Sequence, residues 1–218
     1  MSDPGLFETM FSLRAMRRLK PDSIPQDVLE QVLAAGTQAP SGQNTQPWVF
    51  LAVQDPATKK FLQEKYHAGL TERFGRNVTS DMLPAETSPQ RTMRSAIQLA
   101  EQMHEAPLLL IVCGKRDWPY QTLPENRTGK APPNYGAVYP CVQNILLACR
   151  ALGLGASLTT THRLYEAEIA ERLGVPDEYG LVVLIPIGYP KGNFGPVTRI
   201  PAAELTHYDS WGSQTPPM

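Results

Sequence analysis

The segment Ala39-Pro40-Ser41-Gly42-Gln43-Asn44-Thr45-Gln46-Pro47-Trp48 places a run of hydrogen-bonding side chains between two prolines. A turn from a helix into a strand is one interpretation, because Ser, Gly and Asn are common turn residues. A turn needs fewer residues, however, and the same donors and acceptors suit recognition of a polar heterocycle. The segment therefore predicts a loop between two regular elements and is a candidate binding loop.

Helix and strand patterns alternate on both sides of this loop. Before it, Ser23-Ile24-Pro25 is typical of a helix start, and Gly36 can end that helix. Further helices are predicted over 56–68, 90–105, 137–152 and 163–173. Strands are predicted over 48–53, 108–113 and 181–189, and a short strand or turn over 155–160. Pro140 is expected in the first turn of its helix. The pattern predicts an α/β or α+β chain around one sheet, with residues 1–218 as a single domain.

Two regions interrupt this alternation. Residues 66–84, with Tyr66 and Phe74, are weakly patterned, and residues 115–135 form a long loop rich in Pro, Gly and polar residues. Because long loops in compact domains are often lids, both regions are predicted to cover a binding site. Four side chains of the loop are candidates for contact with a bound acceptor: Trp118, Tyr120, Arg127 and Tyr135. The alternative is a surface insertion with solvated charges. Residues 190–218 are predicted to form an extended C-terminal tail.

Composition excludes several classes of protein. The formal net charge is −1, with 42% hydrophobic and 19% charged residues, so neither nucleic acid nor an anionic membrane is an expected partner. No stretch approaches the roughly 18 apolar residues of a membrane span. Residues 1–10 lack the apolar segment of a secretory signal, so a cytoplasmic location is expected. The three cysteines form no CxxC motif and are predicted to be buried free thiols.

The usual catalytic motifs do not occur. The four histidines are far apart, and no His or Cys spacing fits a zinc site, so no metal is predicted. Gly153-Leu154-Gly155 follows a helix and lacks the third glycine of a dinucleotide fingerprint. Gly129-Lys130 lacks the Ser or Thr of a phosphate loop, and there is no GxSxG elbow. If the protein is an enzyme, a cofactor is therefore expected to carry the chemistry.

Two further segments have a candidate binding role. Residues 14–20, Arg-Ala-Met-Arg-Arg-Leu-Lys, form either a solvated basic face or a phosphate clamp, because guanidinium groups make charge-assisted bonds to phosphate oxygens. Residues 153–161, Gly-Leu-Gly-Ala-Ser-Leu-Thr-Thr-Thr, form either a β-prone edge or a backbone strip along a flat ring.

Together these segments resemble the nitroreductase family of flavoproteins. Residues 39–48 are similar to its Ala-Pro-Ser-x-x-Asn-x-Gln-Pro-Trp box, and residues 14–25 to its N-terminal arginine-rich box. Residues 143–155 resemble its central dimer helix and the following strand, and Gly188-Tyr189-Pro190 with residues 196–199 resemble its C-terminal box. The resemblance implies an α+β fold with a mixed central sheet flanked by helices. It also implies an intertwined homodimer with FMN at the subunit interface.

The resemblance assigns residues to this cofactor. Arg14, Arg17 and Arg199 would hold the phosphate or the pyrimidine edge of FMN, and Ala15 and Arg18 belong to the same N-terminal box. The loop residues expected to approach from the partner subunit are Pro40, Ser41 and Asn44, and Gln46 of the same loop is also assigned to the cofactor. The strip expected along the ring is Leu158, Thr159, Thr160 and Thr161. Leu13-Arg14-Ala15 departs from the Arg-Arg-Ser of many members, so one arginine and one hydroxyl are missing.

Three functions follow from the resemblance. The first is an oxidoreductase that passes electrons from NADH or NADPH to a small acceptor such as a nitroaromatic or a quinone, by a ping-pong scheme. The second is a flavin-binding storage or sensor protein without turnover. The third is a different flavin reaction, such as reductive dehalogenation. Fold alone does not choose among them.

Overall fold

The computed structural model describes residues 4–116 and 129–213. Within these ranges the chain forms seven α-helices and four strands. The helices are α1 (Leu6–Ser12), α2 (Gln26–Thr37), α3 (Pro56–Phe74), α4 (Ser88–Gln102), α5 (Tyr135–Ala151), α6 (Glu166–Leu173) and α7 (Ala202–Leu205). The strands are β1 (Trp48–Val53), β2 (Leu108–Lys115), β3 (Gly155–Ala156) and β4 (Tyr179–Gly188).

The strands form one sheet in the order β1-β2-β4-β3, and each pairing between them is antiparallel. The α+β prediction is confirmed, but the expectation of a mixed sheet does not hold for the described residues of the single chain. Helices α3 and α4 connect β1 to β2 and pack on each other. Helix α3 runs away from the end of the sheet where β1 stops, and α4 runs back to that end. Strand β2 therefore starts there and runs beside β1 in the opposite direction.

Strand β2 lies at the centre of the molecule and is buried on both faces. Its even-numbered side chains from 108 to 112 pack with α2 and α5 in one apolar cluster. Its odd-numbered side chains from 109 to 113 pack with α3, α4 and α6 in a second cluster. Alternate side chains of a strand point to opposite faces, so a continuous apolar strand needs cover on both sides. All three cysteines are buried free thiols, as predicted.

Helix α3 extends beyond its predicted end near residue 68. The carboxylate of Asp55 accepts a hydrogen bond from the backbone N–H of Thr58 at 2.7 Å and caps the start of the helix. Gly75, with φ at 65°, ends it in the left-handed conformation that glycine tolerates. The next helix, α4, begins after a capping box formed by Thr87 and Gln90. The weak pattern of residues 66–84 therefore corresponds to the end of one helix and a short connection.

Helix α5 begins two residues before its predicted start. This extension places Pro140 in the second turn, so the prediction of a first-turn proline is wrong. The side chain of Asn134 caps the new start by accepting a hydrogen bond from the N–H of Ala137 at 3.3 Å. Past Pro190, the described part of the chain contains the short helix α7 and otherwise irregular structure. Across 4–116 and 129–213, no helix has the length and apolar character needed to cross a bilayer.

Candidate functional site: an arginine-lined cleft

The N-terminal arginines lie on an extended strip between α1 and α2. Met16 and Leu19 are buried and anchor this strip against the edge of the sheet. The N–H of Met16 donates to the carbonyl of Ala156 at 2.9 Å, and Leu19 forms an antiparallel bridge with Pro190. Met16 and Leu19 occupy the inner side, whereas Arg14 and Arg18 are exposed and Arg17 is half-buried.

These arginines line a cleft of about 540 Å³ together with one face of α4. The lining residues are Arg14, Ala15, Arg17, Arg18, Ala85, Ser88, Arg91, Thr92, Arg94, Ser95 and Gln98. Five of them are arginines, and none of these described residues is Asp or Glu. A narrower lobe of about 220 Å³ shares the strip and Ser95, and reaches Gly192 and Asn193.

The charges in the cleft are largely uncompensated. Burial lowers the pKa of the Arg17 guanidinium, and the nearby positive charge of Arg14 lowers it further, while Tyr66 opposes the shift. Among the described residues, the lining arginines form one ion pair, between Arg94 and the exposed Asp81 at 3.7 Å. Exposed pairs of this kind contribute little. The cleft therefore suits an anion with several acceptor oxygens, such as a phosphate.

The threonine strip at residues 158–161 lies along the sheet. The N–H of Thr159 donates to the carbonyl of Leu184 at 2.9 Å, and its hydroxyl donates to the same carbonyl at 2.8 Å. Thr159 is therefore buried, whereas Leu158 and Thr160 are exposed on the other side of the backbone. This alternation leaves the exposed side of the strip available to a flat ligand.

Tyr66 of α3 joins the threonine strip to the arginine strip. Burial raises the pKa of Tyr66, and its hydrogen bond with Thr161 and the charge of Arg17 oppose that shift. Helix α3 approaches closely here, since a Cβ on Gly69 would lie 2.9 Å from Cγ2 of Thr161. Tyr66 is only 6% exposed, so the prediction that its ring stacks on an acceptor from a covering segment is wrong. Tyr66 therefore lies between the arginine strip and the threonine strip, although the sequence had placed it in a segment that covers the site.

The loop at residues 40–46 has a strained backbone. Gln43, Asn44 and Gln46 all adopt positive φ, at 53°, 54° and 45°. Such conformations cost roughly 1–3 kcal/mol each for residues other than glycine, and persist where the surroundings hold them. The N–H of Gln46 donates to Oγ of Ser41 at 3.0 Å, and the N–H of Lys115 donates to the carbonyl of Pro47 at 2.7 Å.

Within the described part of this single chain, none of the four loop candidates (Pro40, Ser41, Asn44 and Gln46) lines the arginine cleft. Their contact with a flavin held by a partner subunit stays a prediction. Arg199 also lies outside the cleft lining, is exposed, and donates to the carbonyl of its neighbour Thr198 at 2.8 Å. Its role at the phosphate likewise stays a prediction.

The base of the 115–135 loop is well anchored. Arg116 forms an antiparallel bridge with Pro133, donates to the carbonyl of Ala131 at 2.9 Å, and pairs with Glu166 at 2.6 Å. Tyr135 is half-buried at the start of α5, with the guanidinium of Arg163 5.2 Å from its ring centroid. The other acceptor candidates, Trp118, Tyr120 and Arg127, lie outside the described residues, so their role stays a prediction.

Sequence reasoning missed Arg91 and Arg94. Both lie on the face of α4 that lines the cleft, beside Ser88, Thr92 and Ser95. A polar helix face with basic residues three apart is usually a solvated surface, so it gave no reason to single out these arginines. Only the packing of α4 beside the N-terminal strip identifies them.

This chain matches one protein-family model and several known proteins over most of its length. A family model described as "Nitroreductase family" matches residues 12–189. Iodotyrosine deiodinase of Thermotoga neapolitana is 28% identical over 185 residues, covering 85% of this chain and 88% of that protein. Iodotyrosine deiodinase 1 of Mus musculus is 26% identical over 197 residues, covering 87% of this chain. The match spans 64% of the mouse protein, less than two thirds of its length.

A crystal structure of oxidized iodotyrosine deiodinase bound to FMN and 3-iodo-L-tyrosine is similar in fold. Its TM-score is 0.71 at 23% identity, and the match covers 95% of this chain and 100% of that chain. At this level of identity the likeness concerns the fold alone.

Proposed function

The chain belongs to the nitroreductase family, and from that premise we propose that it is an FMN-dependent oxidoreductase that passes electrons from NADH or NADPH to a small acceptor, a nitroaromatic or a quinone. The observation that carries the proposal is the arginine-lined cleft beside an exposed backbone strip. Bound FMN would supply hydride and electron transfer at its ring system. No protein nucleophile or metal is needed for such chemistry.

The residues present fit this cofactor. The cleft has the charge and the donors for a phosphate, because Arg14, Arg17 and Arg18 line it and none of its described lining residues is a carboxylate. The exposed side of Leu158 and Thr160 offers a backbone strip for a flat ring. Helix α3 packs against the end of that strip, because Gly69 approaches Thr161 closely and Thr161 lowers the pKa of Tyr66.

Reductive dehalogenation is the second candidate. It is favoured by the relatives that match over most of this chain, which are named iodotyrosine deiodinases. Their identity to this chain is 26% and 28%, so a shared substrate is not assumed. The two candidates differ in the acceptor, which is a halogenated compound here and a nitroaromatic or a quinone in the first.

The test begins with the purified full chain. Denaturation is expected to release FMN and not FAD, since the cleft takes a phosphate and the sequence has no adenine-binding fingerprint. Addition of NADH or NADPH is expected to bleach the flavin absorbance, and an acceptor is expected to restore it. Comparing kcat/KM for nitroaromatics, quinones and halogenated phenols then assigns the reaction. A chain that binds no flavin after reconstitution contradicts the proposal, and bound flavin that no donor reduces indicates a storage or sensor protein.

We also propose a homodimer with a cytoplasmic location. Four apolar residues of α1 are exposed, at 43–68% of their surface: Leu6, Phe7, Met10 and Phe11. Helix α1 packs on α5, whose Leu146 and Leu147 are only half-buried. Exposed apolar patches of this kind mark interaction surfaces, and a symmetric dimer would cover them.

Replacing Phe7 and Phe11 with Glu is expected to shift the protein toward monomer. Burying an aromatic or aliphatic side chain contributes roughly 1.5–3 kcal/mol, so removing two weakens association strongly. Sedimentation velocity at low micromolar concentration measures this. Met82→Glu is the control, because Met82 is equally exposed but lies between α3 and α4. A wild-type protein that is a flavin-loaded monomer contradicts the proposal.

Gly155→Ala is expected to destabilise the arginine strip. The added Cβ would lie 2.9 Å from Cβ of Met16 and from Cδ2 of Leu19, the two anchors of the strip. Overpacking typically costs roughly 1–3 kcal/mol of unfolding free energy, and the displaced strip should also bind FMN more weakly. Thermal melting and FMN titration measure the two effects. Gly195→Ala is the control, because its Cβ meets no atom within 4 Å. Unchanged FMN affinity in Gly155→Ala would show that the strip does not depend on these anchors.

Arg199→Ala is expected to weaken FMN binding by about 1.5–3 kcal/mol, the range for a hydrogen bond to a charged group. The expectation comes from the family's C-terminal box, since Arg199 is exposed in the single chain. FMN titration of the folded variant measures the effect. If affinity is unchanged, Arg199 is a surface charge.

A further inference from the structure

The cleft contains more guanidinium groups than one flavin phosphate requires. The strip at residues 14–18 borders both the narrower lobe, beside Gly192 and Asn193, and the wider lobe, beside α4. A phosphate monoester carries a charge of about −1.5 to −2 and three acceptor oxygens. One such group beside the strip leaves Arg91 and Arg94, which line the wider lobe from α4, without a phosphate.

These two arginines line the wider lobe from helix α4. Nη1 of Arg91 donates to the carbonyl of Glu86 at 2.6 Å, and this bond orients the guanidinium. Arg94 is 3.7 Å from Asp81, but the Asp81 side chain is 93% exposed, so water screens that pair. The hydroxyl of Ser88 lines the same lobe and supplies a further donor, whereas the hydroxyl of Thr92 donates to the carbonyl of Ser88 at 3.0 Å.

We propose that Arg91 and Arg94 bind a second phosphate group, which belongs to the nicotinamide dinucleotide that donates electrons. This inference rests on the proposed function, since that function requires such a donor to reach the flavin. Two guanidinium forks with neighbouring hydroxyls match the several oxygens of a phosphate. The wider lobe, at about 540 Å³, is within the usual range for small-molecule sites. The phosphate is either the 2′-phosphate of NADPH or the pyrophosphate that NADH and NADPH share.

A solvated basic surface explains the arrangement less well. A solvated surface gains nothing from collecting like charges into one concavity, because their mutual repulsion opposes it. Here α4 and the N-terminal strip, which are distant in sequence, bring five arginines together, and no carboxylate is among the lining residues described. An anionic ligand would remove that repulsion.

The experiment uses the FMN-loaded full chain and the double variant Arg91→Gln/Arg94→Gln. Calorimetry measures the binding of two probes, adenosine 2′,5′-bisphosphate and ADP, which carry the 2′-phosphate and the pyrophosphate respectively. Steady-state kinetics measure KM for NADPH and NADH. Arg172→Gln is the matched control, because Arg172 is an exposed arginine on α6, outside the cleft. The double variant is expected to bind the relevant probe about 10- to 100-fold more weakly, with a parallel rise in KM.

Each outcome decides the matter. Weaker binding of adenosine 2′,5′-bisphosphate with a higher KM for NADPH alone assigns the 2′-phosphate, and weaker binding of ADP with a higher KM for both NADH and NADPH assigns the pyrophosphate. If both probes bind the double variant and the Arg172→Gln control equally well, the inference is overturned. It is also overturned if the double variant loses FMN affinity, because these arginines then serve the flavin phosphate. In either case a wild-type flavin that NADH or NADPH still bleaches leaves the proposed function intact.

Discussion

Replacing Arg14 and Arg17 together with Gln is expected to abolish retention of FMN during purification. Hydrogen bonds to a charged group contribute roughly 1.5–3 kcal/mol each, so loss of two guanidinium groups should weaken binding at least 100-fold. Both residues line the two lobes of the cleft, and their loss leaves Arg18 as the one arginine of the strip that still lines both lobes. Fluorescence titration of the apoprotein with FMN measures the change.

Folding and binding can be separated in this variant. Burial lowers the pKa of Arg17 and the charge of Arg14 lowers it further, while Tyr66 opposes the shift, so this guanidinium is partly desolvated in the folded chain. The double variant is therefore expected to melt at the same temperature as the wild-type apoprotein or higher, while its FMN affinity falls. Arg172→Gln, outside the cleft, serves as the control for loss of positive charge. Wild-type FMN affinity in the double variant would place the phosphate elsewhere and remove the main support for the site.

Acidification is expected to destabilise the protein through His162, which begins the turn after the threonine strip. His162 is fully buried, and neither ring nitrogen makes a hydrogen bond of good geometry. Burial lowers its pKa from 6.5 to about 4, although the backbone of Leu181 opposes the shift. Between these values the unfolded chain binds a proton that the folded chain does not. The stabilisation from neutral His162 is thus present above pH 6.5 and lost as the pH falls toward 4, by about 3 kcal/mol.

Urea unfolding between pH 7 and pH 4 tests this with the variant His162→Phe. Phenylalanine fills a similar volume without a titrating group, so the variant should lose less stability on acidification than the wild type. His207→Phe, on the C-terminal tail, is the control and should follow the wild type. Identical pH dependence in the wild type and His162→Phe would mean that His162 gains a partner in the folded protein.

The loop at residues 39–48 shows how far turn chemistry can be predicted. Its prolines and small polar residues predicted a loop before a strand that begins at Trp48, and the structure has both. The positive φ of Gln43, Asn44 and Gln46 was not predictable, because these residue types do not require it. The conformation depends on the bond from Gln46 to Ser41 and on the anchoring of Pro47 to β2.

Aromatic residues outside clear patterns were the least predictable. Tyr66 was expected in a covering segment, but α3 extends past it and buries it against Thr161. Its neighbours in space come from positions 17 and 161, and no local pattern in the sequence indicates such contacts. The same limitation applies to the sheet, whose antiparallel order depends on how α3 and α4 return the chain.

The sequence by itself determined the family, the α+β class, the buried strands and the two strips that form the candidate site. These features depend on short-range patterns: apolar periodicity, turn residues, and arginines close together in one segment. Only the tertiary structure decided that Arg91 and Arg94 face the N-terminal strip, that Tyr66 joins the two strips, and that His162 is buried without a hydrogen bond of good geometry. Each of these is a contact between elements distant in sequence, and such contacts are set by the packing of helices on both faces of β2.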